Sequence, residues 1–207
     1  MNRSLIIAIR LVFGVLALVA MGTQLNIQIS SQQSVVNFFS YFTNLSNLFA
    51  ALVLLYGALQ LATNRLPSPL FDLLRGAAAI NMVVVGVIFS LLLRDYDLGA
   101  LLPWINTVLH YIMPIVVVFE WVLAPPQNKL GANQLVLCQL FPVAYLAYSL
   151  VRGAMVNWYP YPFLNPATVG GYDKVALYAL GILVVFLVAG WAVTATSGRR
   201  TASPNTM

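Results

Sequence analysis

Charge is what this chain has least of. Only 7% of its 207 residues are Asp, Glu, Lys or Arg, against roughly 25% in a soluble domain. With 61% hydrophobic residues and a mean hydropathy of +0.87, it reads as an integral membrane protein. Ten basic residues against five acids give a net charge of +5. They stand at the ends of apolar runs and not in a patch, so they signal orientation and argue against a nucleic-acid partner. The one cysteine, Cys138, excludes a disulfide framework and a cysteine zinc site, and reads as a small packed residue. The one histidine, His110, excludes bis-histidine haem and any multi-histidine zinc or di-iron centre. There is no Gly-rich phosphate loop, no nucleophile elbow and no internal repeat. No metal or cofactor is expected.

What the chain does have is apolar length. Six runs, near 4–22, 37–62, 70–93, 102–123, 134–152 and 173–195, are each long enough to cross a hydrocarbon core of about 30 Å at about 1.5 Å per residue. The expected fold is all-α, a polytopic bundle of six transmembrane helices over residues 1–196, followed by a flexible polar tail at 197–207. Arg3 and the small residues near Ala20 give the first run some likeness to a signal peptide, but Arg10 interrupts it and it is retained as a helix. Seven basic residues (Arg3, Arg10, Arg65, Arg75, Lys129, Arg199, Arg200) fall on one side and three (Arg94, Arg152, Lys174) on the other. Both termini are therefore expected in the cytoplasm. The segment at 153–172, with Trp158, Tyr159, Pro160, Tyr161 and Pro162, excludes a regular helix; it reads either as an interfacial aromatic belt or as a lid over an outward-facing cavity.

The stretch from Asn37 to Phe49 organises the rest. On one helix Asn37, Ser40, Asn44 and Asn47 would share a face, with Thr43 at its edge. Amides in hydrocarbon need partners, so that stripe should face a protein interior or a cavity. In the fourth run Asn106 lies one turn before His110, and Pro114 lies four residues after it. Proline has no N–H, so a bend and an unpaired carbonyl beside the imidazole are expected. Thr43 and His110 both lie roughly 9–12 Å below the outer boundary, the level at which a hydroxyl and an imidazole could work as nucleophile and base. Thr43 taken alone reads as a threonine bonded back to its own helix. Asp95 or Asp97 could orient the imidazole. Arg152 reads as a snorkelling anchor or a carboxylate binder. Glu120, about 15 Å deeper than His110, reads as interfacial.

Tyr41-Phe42-Thr43-Asn44-Leu45-Ser46-Asn47 in the second run, one histidine in the fourth and a Trp-Tyr-Pro segment after the fifth resemble the androgen-induced protein family, and among its members the small bacterial ones. Those are multi-pass membrane hydrolases of fatty-acid esters of hydroxy fatty acids that use an intramembrane threonine and histidine. The resemblance implies Thr43 as nucleophile and His110 as base. The expected function is an intramembrane lipid-ester hydrolase in a bacterial plasma membrane, with a substrate drawn from the outer leaflet. Asn44, Asn47 or Asn106 would serve the oxyanion, and Arg152 the substrate. The amide-rich stripe and the Pro-rich last outer loop leave the substrate open. The alternative is a non-enzymatic lipid- or small-molecule-binding protein whose polar stripes only hold helices together.

Overall fold

The computed structural model describes residues 2–96 and 102–197; Asp97 and the tail from residue 198 lie outside them. The described residues are helical and contain no strand. Six helices are long and apolar enough to cross a membrane: Arg3–Ser30, Phe42–Ala62, Pro69–Leu93, Pro103–Leu123, Ala132–Val156 and Tyr172–Thr196. They are called the first to sixth spans below. The second packs along the first, and the third touches the second, fourth and sixth, so the third is the centre of the bundle. Leu140, Val143, Val151, Leu180 and Val184 are exposed, an apolar surface on the fifth and sixth spans suited to lipid.

Two boundaries differ from the sequence reading. The first span runs on to Ser30, two turns past residue 22, because Gln and Asn keep a helix once it is nucleated. It ends where Gln32 takes a positive φ of 55°. The second run is broken: a short helix, Val35–Phe39, precedes the second span, which starts at Phe42.

Glu120 is buried among the helices. It is only 5% exposed and accepts from Arg10 Nε at 2.9 Å and from Arg75 Nη2 at 3.0 and 3.1 Å. Arg10 also donates to the Gly57 carbonyl at 2.7 Å, and a Cβ at Gly57 would stand 2.8 Å from Arg10 Nη1. Beside this group Asp72 accepts from the N–H groups of Gln127 and Asn128 at 3.1 and 2.9 Å. The first, third and fourth spans are thus tied by charges that neutralise one another away from water. Removing one partner strands the others, a loss of about 3–5 kcal/mol. Glu120→Ala should therefore lower the thermal unfolding midpoint sharply in detergent. An unchanged midpoint would contradict the arrangement.

Candidate functional site

The break before the second span sets the site. Tyr41 is extended (φ −80°, ψ 127°), so one helix ends and another begins within two residues. Helix ends leave N–H and C=O groups that must find partners where water is scarce. Here the partners come from distant elements. Tyr145 donates its hydroxyl to the Ser40 carbonyl at 2.8 Å and accepts the Phe42 N–H at 3.2 Å. Tyr161 Oη accepts the Thr43 N–H at 3.1 Å. Asn44 Nδ2 donates back across the break to the Phe38 carbonyl at 2.8 Å. The expected continuous stripe is therefore split: Asn37 and Ser40 belong to the short helix and its cap, while Asn44 and Asn47 belong to the span.

Thr43 departs from the other threonines in the spans. Thr23, Thr107 and Thr196 each donate to the carbonyl four residues earlier, at 2.8, 2.9 and 2.9 Å, and Thr194 to the one three residues earlier at 3.0 Å, the habit of threonine in a helix. Thr43 sits in the first turn of its span, with the break behind it. Its Oγ1 lies 3.3 Å from Tyr161 Oη instead. Burial pushes the Tyr161 phenol up to about 12, so it stays protonated at ordinary pH. Its oxygen already accepts from Thr43 N–H, which leaves the phenolic hydrogen free to donate at or near Thr43 Oγ1.

His110 is placed by a second irregularity. Val108–Ile112 is a π turn, with Pro114 just after it. Met113 N–H bonds to the Val108 carbonyl, and Pro114 has no N–H, so the carbonyl left without a helical donor is that of Leu109. The sequence reading put the free carbonyl at His110; the π register moves it back by one. Asn47 Nδ2 supplies the missing donor at 3.1 Å, and also donates to the Thr43 carbonyl at 2.9 Å. The imidazole Nδ1 stands 3.1 Å from the Asn106 carbonyl. A carbonyl only accepts, so Nδ1 carries the hydrogen and Nε2 keeps its lone pair. The ring stacks on Phe89, centroids 3.9 Å apart, in a matching π segment of the third span, Phe89–Leu93.

Thr43 and His110 line one chamber of about 500 Å³ together with Asn44, Asn37, Trp158 and Tyr161. No direct hydrogen bond joins them; the open volume lies between their elements. A second chamber of about 500 Å³, apolar, lies among the third, fifth and sixth spans, with Val85, Leu146, Leu164 and Phe186 in its wall. Thr43, Leu93 and Tyr161 line both chambers, so the threonine hydroxyl stands at the junction of a polar space and an apolar one.

The other residues singled out in the sequence fall differently. Asn47, fully buried, lines neither chamber, and its amide is committed to two carbonyls. It is structural and not an oxyanion donor. Asn106 also lines neither; it is the backbone carbonyl of Asn106, not the amide, that meets His110. Asp95 is exposed and bonded to Arg94, so it does not orient the imidazole. Arg152 stands at the rim, donating to Asn37 Oδ1 at 2.6 Å and lying over the Trp158 ring. Cys138 is buried. Tyr161 was legible only as one aromatic in a loop, and nothing in its neighbourhood says that it caps Thr43. Asn47→Leu should cost about 1–3 kcal/mol of stability by leaving the Leu109 carbonyl unpaired, read as a lower unfolding midpoint in detergent.

Among the described residues, no group of three or more His, Cys, Asp or Glu side chains is placed to hold a metal ion. No protein-family model, curated protein or solved structure matches this chain.

Proposed function

We propose that this protein is an intramembrane lipid-ester hydrolase with Thr43 as nucleophile and His110 as general base, akin to the androgen-induced family. The observation that carries the reading is the position of Thr43 at the junction of the two chambers, freed from its helix and sharing the polar chamber with an imidazole. A long acyl chain suits the apolar chamber; the alcohol part and the hydrolytic water suit the polar one.

The chemistry follows from these atoms. His110 Nε2 takes the Thr43 Oγ1 proton, by way of a water in the chamber that separates them, as Oγ1 bonds to the ester carbonyl carbon. The carbonyl oxygen becomes an oxyanion beside the Tyr161 hydroxyl, a donor in a poorly solvated place. As the intermediate collapses, the alkoxide leaves with the proton from Nε2, and the acyl group remains on Thr43. Water then gives a proton to Nε2 and attacks the acyl carbon; Oγ1 leaves, recovers the proton, and the carboxylic acid is released. The Asn106 carbonyl holds Nδ1–H in place throughout, the part that a carboxylate plays in a triad.

The excess of Lys and Arg on the side that holds both termini, seven against three, argues for cytoplasmic termini in a bacterial plasma membrane, with the polar chamber toward the outer leaflet. Covalent labelling by a fluorophosphonate probe tests the assignment: labelling of the wild type that disappears in Thr43→Ala supports it, and equal labelling of both removes it.

A further inference from the structure

The polar chamber is lined by neutral groups that both donate and accept. Among the described residues no Lys, Arg, Asp or Glu lines it. Its amides are only partly spent on protein partners. Gln28 Nε2 donates to the Ser34 carbonyl at 3.0 Å, leaving one N–H and Oε1. Asn44 Nδ2 donates to the Phe38 carbonyl, leaving one N–H and Oδ1. Asn37 Oδ1 takes Arg152, which leaves its NH₂. Gln24 and Gln33 line the chamber beside them.

A neutral wall of mixed donors and acceptors asks for a ligand that offers both. A carboxylate or a phosphate brings only acceptors, and the one cation near the chamber, Arg152 at its rim, is already committed to Asn37 Oδ1 and the Trp158 ring. A quaternary ammonium would suit the aromatic corner that Tyr41 and Trp158 form, rings 5.6 Å apart at 90°. Arg152 already lies over the Trp158 ring at 5.0 Å, however, and a second cation there would be repelled. Hydroxyl groups both donate and accept, carry no charge, and tolerate an aromatic wall. The geometry points to a neutral, hydroxyl-rich head group in the polar chamber, so that the substrate is an acyl ester of a polyol such as glycerol or a sugar.

This inference rests on the hydrolase reading for the ester bond, though its test does not. Binding of a radiolabelled hexadecyl glycerol ether, which has no ester to cleave, is measured in lipid nanodiscs. The competitors are unlabelled hexadecyl glycerol ether, hexadecyl methyl ether, hexadecanoate and hexadecylphosphocholine. The glycerol ether should compete at least about tenfold better than the other three, the difference expected for one or two added hydrogen bonds. In the double variant Gln24→Met, Gln28→Met that ratio should fall to about threefold or less. Equal competition by the methyl ether, stronger competition by the acid or the phosphocholine, or no displaceable binding would overturn the proposal. Selective binding by a chain that never labels with fluorophosphonate would instead remove the hydrolase reading and leave the head group. A labelled, active protein without glycerol preference would do the reverse.

Discussion

Thr43→Ala should reduce ester hydrolysis by at least about a thousandfold while the protein still folds. Losing the nucleophile removes the covalent route altogether, and what remains is the small acceleration from binding and oriented donors. Folding should survive because the Thr43 side chain makes one hydrogen bond, to Tyr161; the N–H that Tyr161 also caps belongs to the backbone and is kept. Thr43→Ser restores a hydroxyl and should recover part of the rate. His110→Gln should fall by a similar factor, and the double variant should fall no further than the worse single one, since the two groups act as a unit. Turnover of a fluorogenic acyl ester by purified variants of matched unfolding midpoint decides this. A well-folded Thr43→Ala protein with full activity would end the nucleophile assignment.

Tyr161→Phe carries the second large effect, a loss of about 10²–10³ in kcat with KM little changed, the scale of losing one oxyanion donor. The hydroxyl meets both the N–H and the Oγ1 of Thr43. Its removal also leaves an N–H at the start of the second span without its acceptor, so some stability should be lost as well. The split between kcat and KM, together with the residual activity of a folded sample, separates the two roles. A purely structural tyrosine would lower the unfolding midpoint and leave kcat of the folded protein intact. The raised phenol, near 12 through burial, adds that activity should show no tyrosine-dependent loss up to about pH 10, because Tyr161 is still a donor there.

Composition and apolar length determined the architecture without help. A chain this poor in charge must satisfy its backbone inside helices, and six runs of adequate length leave an all-helical bundle. His110 was legible as the lone imidazole in a span, and Pro114 as a source of irregularity beside it. Tertiary structure decided the rest. The break at Tyr41 has no glycine or proline to announce it. It is sustained by Tyr145 and Tyr161, hydroxyls more than a hundred residues away, and it is this break that turns Thr43 away from its own helix. Asn47 looked like a site amide, but the π register on the fourth span gave it the Leu109 carbonyl to fill. Glu120 could be given a depth along its own helix but no neighbours; Arg10 and Arg75 arrive from two other spans and make its burial possible. In each case a polar group was read against its own segment, whereas its energy was set by the partner that packing brought to it, and local periodicity carries no record of that partner.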